Sequence, residues 1–516
     1  MKKMRKLLRL LFGRTTFIVL FLLIQIGYFF SIVRWLSEYS LFVYAAFDLL
    51  GGLLCIYIIN KKDNPSFKLA WIIPVLLVPV FGSLLYLYVE LEISGRLIAK
   101  RAGQIVRESE GFVKQDRQVL ERLAGEDKLV ANLAEYVSAK GGFPAYGHTF
   151  AEYFPSGQEK WKRLKEELEK ARRFIFMEYF IVEEGVMWNS ILEILERKAR
   201  EGVEVRFMYD GMCSLMLLPY NYPKKMEAKG IHCQMFAPIR PFLSTAQNNR
   251  DHRKIVVIDG HTAFTGGINL ADEYINEKKR FGYWKDVGIM VKGDAVQNFT
   301  VMFLQLWNIW ERRPLPYDKY LYQGHKEEFQ RLSMDGYVLA YGDSPLDHEP
   351  VGKRVYMDML YNARNYVHIM TPYLILDDEM ISALTYGAKR GVEIIIIMPH
   401  IPDKKYAFVL AHTYYKELLE AGVEIYEFTP GFVHAKVFTS DDEKAVVGTI
   451  NLDFRSLYHH FECGAFLYRN RAVADVENDF QDTLAKCQRI TVQMCNRYPL
   501  YEKIAGQALR LIAPMM

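Results

Sequence analysis

Two stretches of this sequence carry the same reactive side chains at the same spacing. The first holds His252, Lys254 and Asp259, then Gly266, Gly267 and Asn269; the second holds His434, Lys436 and Asp441, then Gly448, Thr449 and Asn451. Both read H-x-K-x4-D-x6-G-[GT]-x-N. A lone histidine is ordinarily a hydrogen-bonded core or surface group, but two copies of so long a pattern outweigh that reading. On a strand, residues i and i+2 share a face, so each histidine projects beside its lysine as a nucleophile or proton carrier next to a fixed cation. The glycine-rich segment lets backbone N–H groups approach an anion, and Asn269 and Asn451 add amide donors. Lys254, Lys436, Asn269 and Asn451 therefore suit the oxygens of a phosphate. Two histidines in one site can divide the work: one attacks phosphorus, and the other moves the proton of the leaving and entering hydroxyls. The lysines and asparagines would stabilise the charge that builds on the phosphoryl oxygens.

Each imidazole needs a partner for its second ring nitrogen. Asp286, 34 residues after His252, and Glu462, 28 residues after His434, are the candidates. Asp259 and Asp441 complete the catalytic motif as braces for it or for a lysine rather than as proton carriers; simple turn residues are the alternative reading. No Asp, Glu or His cluster stands at divalent-ligand spacing along the chain, so the expected site has no metal and no cofactor.

These motifs must be positioned by a duplicated unit. Residues 161–211 and 353–399 each read helix, strand, helix, strand, and each continues to a further strand after a glycine, KGIHCQMFAP and AGVEIYEFTP. The repeat period is near 190 residues. Alternating strands and helices predict an α/β fold with mostly parallel sheets covered by helices, here as two pseudo-symmetric lobes. The expected lobes span 146–325 and 326–516, after an amphipathic helical linker at 91–145.

Residues 1–90 read as a membrane region. The basic start MKKMRKLLRLLFGR precedes uncharged 15–33, and apolar stretches follow at 41–59 and 69–89. Each is near the ~20 residues that cross a bilayer core. The first is too long and bulky for a cleaved signal peptide, so an anchored multi-pass membrane protein is expected. Asp48 lies inside the second stretch and should face another helix or a polar cavity. Pro74 and Pro79 kink the third stretch or make it re-entrant. Basic residues on both sides of these stretches leave the number of crossings and the orientation open.

Composition narrows the function classes. The chain has 516 residues, 51% hydrophobic and 24% charged, which excludes a disordered chain and implies several domains. A net charge of +4 gives no whole-chain basic field for a nucleic-acid partner. Six cysteines without a CxxC pair exclude a disulfide scaffold and a zinc ribbon. Homo-oligomerisation is compatible with the sequence but not specified by it.

The double HxKxxxxD pattern resembles the phospholipase D superfamily, and its surroundings are similar to the bacterial cardiolipin synthase branch. HRKIVVIDGHTAFTGGINLADEY with YWKD, HAKVFTSDDEKAVVGTINLDFRS with FE, and NPSFKLAWIIPVLLVPVFGSLLYL carry the resemblance over nearly the whole chain. Asp251 departs from it, where asparagine is often expected, and an acid there could make His252 more basic. The resemblance implies transfer of a phosphatidyl group from one phosphatidylglycerol to another through a phosphohistidine, giving cardiolipin and glycerol. It also implies that His252 is the nucleophile and His434 the acid and base; the residues alone leave these roles interchangeable. Arg250 and Arg253 could draw in anionic headgroups. A membrane-anchored phospholipase D, and then a nuclease of the same superfamily, are the other readings.

Overall fold

The computed structural model describes residues 23–24, 38–90, 93–213, 217–237, 249–322, 332, 335–347 and 349–515. These belong to two compact units: residues up to 99 with the C-terminal segment from 507, and the described residues from 100 to 506.

The unit from residue 100 to 506 holds two mixed sheets. In the first lobe the strands are β1 (Thr149–Phe154), β2 (Phe174–Tyr179), β3 (Glu204–Asp210), β4 (His232–Phe236), β5 (Arg250–Asp251), β6 (Ile255–Ile258), β7 (Thr262–Gly266), β8 (Tyr283–Lys285) and β9 (Gly288–Gly293). Seven of them form a sheet in the order β1-β9-β7-β6-β2-β3-β4. In the second lobe the strands are β10 (Tyr337–Asp343), β11 (Tyr366–Met370), β12 (Glu393–Pro399), β13 (Glu424–Phe428), β14 (Gly431–Val433), β15 (Val437–Ser440), β16 (Lys444–Gly448), β17 (His460–Tyr468) and β18 (Cys487–Arg489). Its sheet runs β10-β17-β16-β15-β11-β12-β13-β18, so the two halves repeat the same core order.

Only the helix-connected neighbours β2-β3-β4 and β11-β12-β13 are parallel within these two sheet orders. The expectation of mostly parallel sheets is corrected here. Each motif strand runs through a three-residue loop into the next strand, and so short a connection permits only antiparallel pairing. The first two loop residues have positive φ, 53° and 78° at Asp259 and Gly260 and 56° at both Asp441 and Asp442, as tight hairpin loops require. The apolar run Ile394–Met398 forms most of β12 and is buried throughout, as a strand covered on both faces must be.

The lobes are sewn together by strands, not only by side chains. β5 of the first lobe pairs in parallel with β17 of the second, and β14 of the second pairs in parallel with β8 of the first. Part of the expected linker also belongs to this unit. Helices Arg117–Glu126 and Lys128–Tyr136 bury Leu123, Val130 and Leu133. Tyr136 donates to Glu349 at 2.6 Å, and Tyr337 donates to Glu126 at 2.8 Å.

The other unit contains α1 (Glu38–Asn60), α2 (Pro65–Leu77) and α3 (Pro79–Glu90). The third apolar stretch is therefore broken at Val78, where Pro79 starts a new helix. Gly82 permits the close return: a Cβ there would lie 2.2 Å from the Pro74 carbonyl oxygen. Leu54, Ile58, Val75 and Tyr86 form the small core, and Lys61 pairs with Glu90 at 3.0 Å. Asp48, in α1, is exposed. Among the described residues no helix is long and apolar enough to cross a membrane. The expected span at 15–33 lies outside the described residues, apart from Leu23 and Ile24.

Candidate active site

The site is built by reciprocal donation between the lobes. His252 follows β5, and its backbone N–H donates to the Phe461 carbonyl on β17 at 3.0 Å. The next residue on β17, Glu462, lies 2.9 Å from His252 Nδ1. The other half repeats the device. His434 follows β14, and its N–H donates to the Lys285 carbonyl at 2.7 Å. The next residue, Asp286, lies 2.7 Å from His434 Nδ1. Each histidine is thus held by the carboxylate that follows the other motif in sequence, not by its own. Both contacts occupy Nδ1 and leave Nε2 as the remaining ring nitrogen.

The small residues of the motif make room for these carboxylates. A Cβ on Gly267 would lie 2.1 Å from Asp286 Oδ1. At the matching position of the second lobe, the Thr449 hydroxyl donates to Glu462. The expectation that these residues open space for an anion gives way to a nearer cause: they accommodate the orienting carboxylates.

Lys254 and Lys436 are buried beside the histidines, and each ammonium donates to the backbone carbonyl of its own motif histidine. Lys436 Nζ also lies 2.9 Å from His434 Nδ1. Burial pulls Lys254 down to about 8 against the attraction of Glu462 and Asp286. It pulls Lys436 down to about 7, with repulsion from Lys254 added. Burial and Lys436 lower His434 to about 4 despite Asp286. His252 is pushed well below its usual value by burial, against Glu462. Burial opposes ionisation of Glu462, but the charge and hydrogen bond of His252 hold it below the usual carboxylate range. At neutral pH the two motif imidazoles are thus neutral and Glu462 is ionised. Because Lys254 acts on both His434 and Lys436, and Glu462 acts on Lys436, the two motifs share one electrostatic centre.

Other expected residues stand elsewhere. Asp259 accepts from the backbone N–H groups of Arg172, Arg173 and Phe174 at 2.7 to 2.9 Å. Asp441 does the same for Arg364, Asn365 and Tyr366 at 2.7 to 3.1 Å. Both motif aspartates therefore clamp the start of the neighbouring strand while shaping a positive-φ turn. This corrects their grouping with the catalytic set: neither carboxylate contacts a histidine or a lysine side chain. Asn269 accepts from Ile181 N–H at 3.0 Å and donates to the Tyr274 hydroxyl at 2.7 Å. That tyrosine packs edge-on against His434 at 5.5 Å, so Asn269 braces the wall of the site. Asn451 is buried with an unpartnered Oδ1.

Arg250 and Arg253 are buried rather than exposed for headgroups: Arg253 donates to Glu178 at 2.6 Å, and Arg250 lies 3.5 Å from Asp210. Asp251 accepts from Arg253 N–H at 3.2 Å and also faces Glu178, so its charge is engaged there rather than on His252. The sequence reading missed His460, which is buried beside His252, and Lys160, whose unpartnered ammonium burial lowers to about 8. The period of two on β17 could have revealed His460, since it stands two residues before Glu462 on the same face. Nothing in the helical sequence around Lys160 marked it. The absence of a metal-spaced cluster along the chain did not carry into space: ligand atoms of His252, His460 and Glu462 lie within 4.8 Å of one another.

Comparison with known proteins gives this geometry its place. Residues 164–307 and 356–484 match the family described as "Cardiolipin synthase, PLD-like domain", and 41–89 match "Phospholipase D-nuclease N-terminal". The chain belongs to the cardiolipin synthase-like family of the phospholipase D superfamily. It is 48% identical to an uncharacterised protein of Streptococcus mutans over 91% of this chain and 100% of that one. It is 32% identical to a cardiolipin synthase of Halalkalibacterium halodurans, covering 89% of this chain and 91% of that one. It is 33% identical to a cardiolipin synthase 2 of Bacillus anthracis, covering 90% and 89%. The fold resembles the crystal structure of a phosphatidylserine synthase from Haemophilus influenzae, with a TM-score of 0.56 and 12% identity over 75% of this chain and 100% of that one. The protein is an enzyme of phospholipid metabolism related to these synthases.

Proposed function

We propose that this enzyme is a cardiolipin synthase working by two displacements at phosphorus. The reciprocal clamp carries the proposal: each motif histidine has Nδ1 fixed by a carboxylate of the opposite lobe, leaving Nε2 for a shared phosphate. His252 is the nucleophile. Its Nε2 attacks the phosphorus of one phosphatidylglycerol; the bond to the glycerol oxygen breaks, and that oxygen takes a proton from His434. A hydroxyl of a second phosphatidylglycerol then gives its proton to His434 and attacks the phosphohistidine. The phosphorus–nitrogen bond breaks, cardiolipin leaves, and both histidines return to their starting states.

His434 is neutral at pH 7 because burial and Lys436 oppose its charge. An anionic phosphodiester counters both effects and lets it carry the proton it must donate. Lys254 and Lys436 hold the phosphoryl oxygens, assisted by Asn451, while Asp286 and Glu462 fix the imidazoles.

Attachment to the bacterial cell membrane belongs to the same proposal. Leu49, Leu53, Ile56 and Ile59 of α1 and Leu69, Leu76 and Leu77 of α2 are exposed apolar side chains, a surface suited to lipid. Anchoring to a bilayer would reduce the encounter with lipid substrates to a two-dimensional search, and a covered pocket would disfavour water as the second nucleophile.

The test supplies purified protein with phosphatidylglycerol labelled in its terminal glycerol and in its phosphate. Cardiolipin and free glycerol in equal amounts support the proposal. Phosphatidic acid as the lipid product would make the protein a hydrolase, and nucleotides released from single-stranded DNA would make it a nuclease.

A further inference from the structure

His460 has no role in the two-histidine scheme, yet it lies in the centre of the site. Its side chain is 7% exposed, and neither ring nitrogen has a hydrogen-bond partner. Its ring is 5.4 Å from that of His252, and Phe180 packs against both. Nδ1 is 3.7 Å from Glu462 Oε1, outside direct hydrogen-bond reach. A buried imidazole unpaired at both nitrogens is costly unless a ligand pairs with it. β17 makes the position rigid, because the backbone of His460 is in register with Arg250 of β5.

We propose that His460 is a third catalytic histidine that binds a non-bridging oxygen of the phosphoryl group carried on His252. The assignment rests on the phosphohistidine reading above. An oxygen of a phosphoryl group on His252 Nε2 falls within reach of a ring centred 5.4 Å away. The loaded site then offers His460 two anions, Glu462 on one side and the phosphoryl oxygens on the other. Held as an imidazolium, the side chain can give one N–H to each, which satisfies both of its free nitrogens. Its place next to the nucleophile suits it to these oxygens rather than to the leaving or entering alcohol, which His434 serves. No proton need leave His460 during turnover: it lends charge in both displacements and returns unchanged.

The experiment compares full-length wild type, His460→Ala, His460→Leu and His460→Gln after chelation of metals. Inorganic phosphate is titrated calorimetrically, and the rate of acid-labile phosphoenzyme formation is measured with labelled phosphatidylglycerol. Loss of a charge-assisted donor predicts phosphate binding at least tenfold weaker in the Ala and Leu variants. Phosphoenzyme formation should slow by about a hundredfold, the effect of removing one oxyanion donor. The Gln variant, which retains an N–H, should recover part of both. Thermal unfolding identifies any variant that has lost its fold; the Leu variant, which keeps the volume, then stands for the apolar case. Unchanged phosphate affinity and phosphoenzyme rate in folded His460→Ala or His460→Leu would overturn the proposal. So would wild-type activity that needs added zinc and loses it with His460, because the residue would then be a metal ligand. Failure of the synthase reading is separately visible: wild type would form phosphoenzyme and release a product other than cardiolipin, with the phosphate titrations unaffected.

Discussion

Replacing Lys436 with methionine should stabilise the fold while removing catalysis. Methionine keeps most of the aliphatic volume and drops the buried charge. Lys436 is 1% exposed, and its ammonium is held at about 7 rather than 10.5 because burial outweighs the pull of Asp286 and Glu462. The native state therefore binds this proton more weakly than the unfolded chain. Between about pH 7 and 10.5 the unfolded state carries more protons, so this group's contribution to stability rises with pH across that window. At pH 7 the linkage amounts to about 4 kcal/mol against the fold, since a shift of one unit is about 1.4 kcal/mol. The variant removes that term. Its melting midpoint should be a few degrees higher than wild type at pH 7, and the gap should close as pH rises towards 10. Turnover should fall by at least a hundredfold for loss of a charge on the phosphoryl oxygens. Calorimetry across this pH range and a phosphatidylglycerol turnover assay read the two effects. A variant less stable than wild type at pH 7, or one that keeps full turnover, would refute the claim that this lysine is strained for function.

Three other substitutions and one control separate positioning from clamping. Gly267→Ala places a methyl group in the space of the Asp286 carboxylate; turnover should drop at least a hundredfold through loss of the His434 clamp, while Gly103→Ala, whose nearest Cβ neighbour is a mobile arginine tip at 3.5 Å, should leave it unchanged. Glu462→Gln should lower kcat by about a thousandfold or more with a smaller effect on KM, because the amide can hold His252 in the wrong tautomer; kcat within tenfold of wild type would show that the carboxylate is not needed there. Asp259→Ala strips three backbone N–H groups of their acceptor and should destabilise the first lobe by about 2–4 kcal/mol in denaturant titrations, with specific activity of the folded fraction retained.

The reactive residues were legible because their spacing is local. His252 with Lys254 and His434 with Lys436 need only the period of a strand, and the α/β repeat needs only alternating apolar runs. What could not be read was whose carboxylate meets whose histidine. Counting along the chain associates Glu462 with His434 and Asp286 with His252, whereas β5 on β17 and β14 on β8 exchange them. The same limit hid His460, which becomes a neighbour of His252 only through that cross-lobe pairing. The mostly parallel sheet failed for another reason. Each motif aspartate looked like a member of the reactive set, but its positive φ and its three backbone partners make it the corner of a hairpin. Arg250 and Arg253, charged and next to a reactive histidine, read as surface steering groups; their acidic partners Asp210 and Glu178 come from strands 40 and 75 positions earlier, and no local pattern announces them.

The exchange of carboxylates also explains why the chain keeps two lobes for one reaction. A lobe taken alone would carry an imidazole whose Nδ1 has no acceptor and a carboxylate buried without its histidine. Both are unfavourable, and neither can be relieved by moving a side chain, because the backbone N–H of each histidine is itself bonded to the other lobe. Closing the two lobes on each other is therefore the step that sets a buried carboxylate beside a neutral imidazole, twice, around one space. The double displacement proposed above makes use of that duplication. The nucleophile must lie opposite the departing alcohol, so the group that moves the proton cannot share its position. Two copies of one motif, facing each other across the join, supply both places with the same local chemistry. The difference between them then rests on the few residues that break the symmetry: Thr449 against Gly267, and His460 beside only one of the two.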